Sequence, residues 1–539
     1  MQRKNLATRI PNPGLMLGAT RISRRRAAQT NLMLGYGRYA VGIFNQLILV
    51  PLYLRFISIG AYGSWLASGN VVALLSVLDI GFNLIVTQRL ATAVGAGDDN
   101  QFVREVGSSL GVVLAGAVFV SAVAFILSPW IPAWINAPAS QTAALRRAIV
   151  LTGIGAAAEV ISLSMWSVLQ AWQLAFLCEF NLLISSVLGL TATVIALFRG
   201  IGVVAFGVGV LVAGTSAAVL LISVVALQWR RRKLPLPTIR LRVSSELFRY
   251  SSPVIISRIT LSLVNNGQSV IVSACLNPTA AAILSLTSRL FTGCRTLLEP
   301  IIGSSFAGIA HLIGESAPHS SRVRTVLKEL FTIIGVSAAL MFGMAAALNV
   351  SFGRLWVGPD RFSGVALTVV ICMATLAVSI NNVQGVIVTA LGNIRGPAWC
   401  SLLEVGIRVP LTIVFLLYLG IIGAPLAACA TSLAIGSWYL FRLLRRKLSL
   451  RTVEALEIVG GGLPALAACL SVSVAAALVL SPATTWFALI RRGALMAIVL
   501  VTLVVALTPY ARRKAGQVVM FLSSWRRKAA PEPVALRLP

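Results

Sequence analysis

The sequence predicts an all-α integral membrane protein that crosses the bilayer about fourteen times. Of its 539 residues, 58% are hydrophobic and only 11% are charged, whereas soluble domains carry about a quarter charged residues. The apolar segments are hydrophobic on every side and recur along the whole chain, so lipid rather than water must surround them. Lys and Arg collect between these segments, which is typical of membrane topology.

Windows of about 19 residues place the individual spans. They are 32–54, 64–88, 107–129, 148–170, 176–198, 202–228, 253–275, 283–310, 328–350, 364–390, 398–419, 421–441, 458–480 and 489–509. Most of the 45 basic residues fall in the two tails and after every second span, so the positive-inside rule predicts that both termini are cytoplasmic. The first span has full length and no cleavage site after it, so we expect it to act as its own signal anchor.

Composition and motifs exclude several classes of protein. The connections are too short for a separate catalytic domain, and no G-x-x-x-x-G-K-[ST] phosphate loop indicates ATP hydrolysis. The net charge of +30 comes without a compact basic domain, so we expect no nucleic-acid partner. Seven cysteines without a CxxC pair and two histidines in or beside one connection predict neither disulfides nor a metal site, and no cofactor is expected.

A shift of about 220 residues reveals an internal repeat of the kind found in transporters. Arg38, Asn45 and Gln46 in span 1 recur as Arg258, Asn265 and Asn266 in span 7, and Leu78-Asp79 recurs as Leu298-Glu299. We therefore predict two six-helix lobes in the same orientation, facing each other across a cavity. The predicted domains are a basic cytoplasmic tail (1–31), an N-terminal lobe (32–229), a basic linker (230–252), a C-terminal lobe (253–447), two additional transmembrane helices (448–510) and a second basic tail (511–539).

Charged residues inside the membrane are expensive and usually face a wet cavity or a partner. Four such arginines lie in spans 1, 7 and 8 and predict a cationic cavity for an anionic, phosphate-bearing ligand: Arg38, Arg258, Arg289 and Arg295. Asn45, Gln46, Asn265 and Asn266 are candidates for binding sugar hydroxyls. Asp79 and Glu299 are candidates for a coupling-ion or proton site or for counter-charges to the arginines, with Glu159 and Glu179 as weaker candidates.

Simpler interpretations of the same charges stay open. Arg38, Arg258 and Arg289 lie close to span ends, where a long side chain can reach the interface. Arg295 and Glu299 are four residues apart on one helix, as are Glu404 and Arg408, so each couple can be an intrahelical ion pair. For Glu404 and Arg408 this is the interpretation we favour.

The segment from Tyr39 to Asp98 carries several motifs of a known family. It contains Asn45-Gln46, Leu49-Val50-Pro51-Leu52, an Ala61-Tyr62-Gly63-Ser64-Trp65 turn, Leu78-Asp79-Ile80-Gly81-Phe82 and Arg89-Leu90-Ala91. This segment resembles the opening of bacterial polysaccharide flippases of the O-antigen type, in the multidrug/oligosaccharidyl-lipid/polysaccharide (MOP) exporter superfamily. The resemblance implies a V-shaped cavity between two lobes that opens alternately to either side of the inner membrane.

The resemblance also implies the cargo, an oligosaccharide on undecaprenyl pyrophosphate, destined for O-antigen, capsule or exopolysaccharide. The four arginines would then meet the pyrophosphate, a proton or sodium gradient would drive transport, and a glycan polymerase and export machinery would be partners. Three alternatives remain: a lipid II flippase, a multidrug cation antiporter, and, from another class, a membrane-embedded glycan polymerase or ligase. The last would need a large external loop, which this sequence lacks.

Overall fold

The protein is all-helical over the part of the chain that the computed structural model describes. That part comprises residues 42, 47, 49–76, 80–238, 262, 266–315, 320–393 and 395–513. Nine of its helices are long and apolar enough to cross a membrane. The all-α polytopic fold that composition predicts is therefore confirmed.

The first half of the described chain contains seven main helices. They are α1 (Val50–Phe56), α2 (Ile59–Ser76), α3 (Ile80–Ala96), α4 (Asp99–Leu127), α5 (Ala139–Ala171), α6 (Ala175–Phe198) and α7 (Val204–Arg231). Helix α4 begins where the Asp98 carboxylate accepts a hydrogen bond of 2.8 Å from the backbone N–H of Gln101, an N-cap that satisfies one of the unpaired N–H groups of the first turn. Helix α5 is central, because α2, α3, α4 and α7 all pack against it.

The second half is built in a similar order. It contains α8 (Pro278–Glu315), α9 (Ser321–Val357), α10 (Val365–Ala390), α11 (Arg395–Leu419), α12 (Gly423–Thr431) and α13 (Trp438–Lys447). Helix α8 begins and ends 219 residues after the start of α2 and the end of α3, and α12 begins 219 residues after α7. This is the spacing of the sequence echoes, while the lobe boundaries themselves stay a prediction.

Two predicted spans lie within one continuous run of helical residues, Arg395–Lys447. The stretch reverses at Gly420, whose φ of +61° is a left-handed conformation that favours glycine. Helix α12 then returns along α11, with Gly423 against the backbone of Phe415. The stretch is therefore a helical hairpin, and it accounts for two of the predicted spans.

Three further helices follow: α14 (Thr452–Val459), α15 (Leu463–Val479) and α16 (Trp486–Leu507). All three pack on α9. Where α9 and α15 cross, Gly335 and Gly462 bring the two backbones together, and a Cβ on Gly462 would lie 2.7 Å from the Cα of Gly335. Small residues allow this close approach, which drives helix association in lipid through van der Waals contact.

Several helices extend past the predicted spans. Helix α5 begins at Ala139 rather than near residue 148, α2 begins at Ile59 before the predicted span 64–88, and α3 ends at Ala96 after it. The window method finds only the most apolar part of a helix, whereas hydrogen bonding continues through its polar ends. Much of span 1 and of span 7 lies outside the described residues.

Exposed tryptophans lie near both ends of the bundle. Trp130, Trp134 and Trp486 are exposed at one end, and Trp399 and Trp438 are exposed towards the other. Their amphipathic rings suit the boundary between hydrocarbon and water. Between them, α4, α6 and α16 expose large apolar side chains such as Phe125, Val187 and Ile498, as expected for lipid-facing surfaces.

Candidate functional site

The two halves of the chain meet at one end of the bundle, which we call the contact end. It contains the α1–α2 connection and residues 128–138, 199–203, 276–281 and 351–364. One buried apolar cluster there combines residues of both halves, including Tyr53, Tyr62 and Ile135 from the first and Leu286 and Trp356 from the second. The contact end is therefore sealed by apolar packing.

Hydrogen bonds between the halves accompany this packing. They join Asn136 Nδ2 to the Ala274 carbonyl (2.8 Å), Ser273 Oγ to the Ile135 carbonyl (2.7 Å), Asn70 Nδ2 to Ser269 Oγ (2.6 Å), Arg361 Nη1 to the Leu54 carbonyl (3.4 Å) and Trp356 Nε1 to the Leu47 carbonyl. In each of these hydrogen bonds, the donor and the acceptor belong to different halves. The contacts are specific, because a buried polar group without a partner is costly.

The opposite end of the first half has a core of its own. Its buried cluster includes Leu90, Phe102, Trp172 and Trp229, and the described residues of this cluster all belong to the first half. Phe102 stacks on Trp172 with ring centroids 5.4 Å apart. In the described part of the chain, the halves are thus joined by packing at the contact end and not by this core.

Helix α8 places Arg289 on the surface that meets α2. The Arg289 guanidinium donates a hydrogen bond of 3.2 Å to the Tyr62 hydroxyl across the two halves. Arg289 is half-buried and lies within the described helix. Its placement at the junction agrees with a position near the interface of the lobes, while its role in ligand binding stays a prediction.

Arg295 and Glu299 form an ion pair on the same helix, with 3.5 Å between Arg295 Nε and Glu299 Oε1. The Glu299 side chain is 43% exposed and that of Arg295 is 22% exposed. A carboxylate this accessible within a long membrane helix indicates a wet surface, because the charge would be too costly against lipid. Glu159 on α5 is also accessible, and the same reasoning applies to it.

The other predicted site residues are less well placed by the structure. The Asn266 amide donates to Ser262 Oγ at 3.0 Å within its own helix. The remaining six lie outside the described residues: Arg38, Arg258, Asn45, Gln46, Asn265 and Asp79. The cationic cavity as a whole therefore stays a prediction.

The second half contains a buried polar network that the sequence only hinted at. Glu404 and Arg408 form the intrahelical ion pair on α11, and each residue is 8% exposed. Arg408 Nε donates to Thr431 Oγ1 at 3.1 Å, and Arg408 Nη2 donates to Ser432 Oγ at 2.7 Å. Ser432 in turn donates to Glu404 Oε1 at 2.7 Å, so both charges have additional hydrogen-bond partners.

This network holds an irregular turn. Residues Ser432–Ser437, between α12 and α13, form a π-helix, a conformation that is rare and often found at functional sites. Asn381 on α10 donates to the Ser432 carbonyl (3.0 Å) and accepts from Ser437 Oγ (2.8 Å). The Asn381 amide also fills the space where a Cβ on Gly436 would lie. Asn381 was missed at the level of sequence, where the only signal was an amide in an apolar span.

The same half also contains the Arg295–Glu299 ion pair of α8. Two arginines and two glutamates are thus gathered in the second half, and their charges balance. The same half contains an apolar cavity of about 50 Å³, lined by residues such as Leu298, Ile334, Leu376, Val383 and Leu466. It lies between α8, α9, α10 and the additional C-terminal helices.

Comparison with known proteins identifies relatives of this architecture. A sequence model of the polysaccharide biosynthesis protein family matches residues 38–307. No curated protein matches the sequence.

Solved structures of similar fold include "Lipid II flippase MurJ, inward closed conformation", with a TM-score of 0.66, 14% identity, and coverage of 88% of this chain and 98% of that one. An inward-facing multidrug resistance MATE family transporter of the MOP superfamily has a TM-score of 0.57 and 14% identity over 78% of this chain and 98% of that one. The eukaryotic MATE transporter AtDTX14 has a TM-score of 0.55 and 14% identity over 81% of this chain and 99% of its own. At these identities the likeness concerns the fold.

Proposed function

Because this chain belongs to the polysaccharide biosynthesis protein family, we propose that it is a transporter that flips a lipid-linked oligosaccharide across the bacterial inner membrane. The observation that carries the proposal is the joining of two similarly built halves at one end of a MOP-type fold. Such an arrangement can open to one side of the membrane while it is sealed on the other. The cargo would be an oligosaccharide on undecaprenyl pyrophosphate.

The predicted orientation of the termini determines to which side of the membrane the proposed cavity would be open. With both termini in the cytoplasm, as the positive-inside rule predicts, the contact end would face the periplasm, and the proposed cavity between the halves would open inwards. The cargo would then enter from the cytoplasmic leaflet and leave after the packing around Tyr62 and Trp356 has separated. A reporter fused to the C-terminus, active only in the cytoplasm, tests this orientation.

The charged residues suggest how the cargo is held. The pyrophosphate would meet Arg38, Arg258, Arg289 and Arg295, and the sugars would meet the amides of spans 1 and 7. The lipid carrier would keep its tail in the surrounding hydrocarbon, because the apolar cavity lined by Leu298 and Leu466, of about 50 Å³, is too small for it. Asp79 and Glu299 would respond to the driving proton or sodium gradient.

A reconstituted assay tests the proposal. The protein is inserted into liposomes with a lipid-linked oligosaccharide, and a glycosidase that cannot cross the membrane measures how much glycan reaches the outside. We expect flipping to depend on a proton or sodium gradient and to fall in Arg295→Ala. Arg324→Ala is a matched control, because Arg324 pairs with Glu454 at 3.9 Å outside the proposed cavity. Failure to move any lipid-linked glycan would refute the transport function.

The same liposomes distinguish the alternatives. Preferential movement of lipid II would assign the chain to lipid II flipping, and efflux of a cationic dye would assign it to drug export. Elongation or transfer of the glycan would indicate an enzyme. We expect none of these three results, since the chain matches the polysaccharide family over residues 38–307.

A further inference from the structure

The contact end carries an unusual set of charges. The α15–α16 connection also belongs to this end, because the backbone N–H of Ala483 donates to Ser351 Oγ at 3.0 Å. Among the described residues, the connections at this end and the helix turns that adjoin them contain a single acid, Asp360, and no lysine or histidine. All of its basic residues are arginines: Arg55, Arg146, Arg147, Arg199, Arg354, Arg361, Arg491 and Arg492. A planar guanidinium binds phosphate through two parallel hydrogen bonds, whereas lysine acts as a point charge. The composition of this end therefore suits phosphate groups.

Three of these arginines lie on segments that contact one another where the halves meet. Arg361, from the second half, donates from Nη1 to the carbonyl of Leu54 at 3.4 Å. Because Arg55 follows Leu54 in the chain, this contact brings Arg361 close to the backbone of Arg55. Arg55 lies in the last turn of α1 and Arg199 caps the C-terminus of α6. Phe56 follows Arg55 and Phe198 precedes Arg199, and these two rings are in edge-to-face contact with their centroids 4.9 Å apart. The three segments that carry these arginines thus meet at one edge of the junction.

The aromatic pair gives this edge an apolar floor. Phe56 is 40% exposed and Phe198 is 68% exposed, and neighbouring positions on α6, such as Ile195, are exposed as well. Arg55 and Arg199 are also exposed. Their places at helix C-termini favour positive charge but leave the guanidinium groups accessible. Positive groups above an exposed apolar surface match a lipid with a phosphate headgroup.

We propose that Arg55, Arg199 and Arg361 form a binding site for the phosphate headgroup of an anionic membrane lipid, whose chain lies along Phe56 and Phe198. Because Arg361 belongs to the second half, the site is complete only while the halves are in contact at this end. A bound lipid therefore stabilises the closed contact end. This site is independent of the cargo and of the direction of transport.

Native mass spectrometry of the purified protein with added phosphatidylglycerol tests the site. Removing a basic residue near a membrane surface weakens binding of an anionic lipid about fivefold, so we expect the double variant R55Q/R199Q to bind about 25-fold more weakly. R361Q should lose about fivefold. R491Q is the matched control, because Arg491 is an exposed arginine of the same end but lies on α16, which packs on α9 and α15 and carries none of the three proposed site residues.

Further measurements separate a loss of lipid binding from misfolding. They also distinguish a lipid headgroup from a soluble phosphate compound as the ligand. R55K/R199K keeps the positive charges but cannot form the two parallel hydrogen bonds of a guanidinium. It should recover part of the affinity for phosphatidylglycerol, which a misfolded variant would not. Phosphatidylcholine should bind equally to all variants. Unchanged phosphatidylglycerol binding in R55Q/R199Q, or an equal loss in R491Q, would overturn the proposal. Binding of inorganic pyrophosphate with the same affinity and the same dependence on these arginines would also overturn it, because the site would then serve a soluble anion.

Discussion

Replacement of Arg408 by leucine should destabilise the protein far more than the same replacement of Arg295. Both arginines pair with a glutamate four residues away, but their surroundings differ. The side chains of Glu404 and Arg408 are each 10% exposed, whereas those of Arg295 and Glu299 are 22% and 43% exposed. Arg408→Leu leaves the buried Glu404 carboxylate with the hydroxyl of Ser432 and no counter-charge.

The expected magnitudes follow from these exposures. Breaking a buried ion pair by removing one partner costs about 3–5 kcal/mol. An accessible pair contributes about 0–1 kcal/mol, so Arg295→Leu should have a small effect. Adding Glu404→Gln to Arg408→Leu removes the unpaired charge and should recover much of the loss. Arg295→Leu therefore serves as the matched control for residue type and for the spacing of four residues to the glutamate.

The assay is unfolding of the purified protein in mixed micelles with increasing dodecyl sulfate, followed by loss of helical circular dichroism. The free energies of the wild type, both single variants and the double variant at Glu404 and Arg408 give the coupling energy of the pair. Equal losses for Arg408→Leu and Arg295→Leu would refute the reasoning from burial. So would a double variant that is no more stable than Arg408→Leu.

Three other substitutions probe the packing. Gly63→Leu should separate the halves, because a Cβ there would overlap the Pro278 carbonyl; spin labels on the two halves at the contact end should show longer distances. Gly462→Val should loosen the C-terminal helices from α9, at a cost of about 1–3 kcal/mol for overpacking, measured by limited proteolysis between α13 and α14. Trp229→Phe removes the 3.0 Å hydrogen bond from Nε1 to the Pro235 carbonyl and should cost about 1 kcal/mol in the same unfolding assay.

Each of the two glycine variants has a control within the chain. Gly69→Ala adds a Cβ that meets only the ring of Trp65, at 3.7 Å, and should leave the distances between the halves unchanged. Gly460→Ala adds a Cβ that meets only Leu463, at 3.9 Å, and should leave proteolysis unchanged. An effect in a control equal to that in its partner variant would contradict the assigned contact.

The positions of the helices along the chain could largely be predicted from sequence. Hydrophobicity is a property of each segment, so the spans from α4 onwards were found without knowledge of their neighbours. The reversal at Gly420 separates the two spans that were predicted at 398–419 and 421–441. Helix ends were less well predicted, as with the start of α5 at Ala139, because polar turns continue a helix outside the most apolar window.

The partners of the charged residues could be predicted only where they lie on one helix. The couples Arg295–Glu299 and Glu404–Arg408 were recognisable from their spacing of four residues, and both form ion pairs. The contacts of Asn381 with the π-helix and of Arg361 with the Leu54 carbonyl join segments that are distant in the chain. No local pattern indicates which helix faces another.

The sequence by itself determined that this protein lies in the membrane, that it is helical, and where most of its helices run, because lipid imposes length and apolarity on every span separately. Only the tertiary structure decided that the halves are joined at the contact end and that Glu404 and Arg408 are buried while Arg295 and Glu299 stay accessible. Exposure and pairing depend on the faces that packing brings together. Those faces also decide which of the intramembrane charges remain accessible to a ligand.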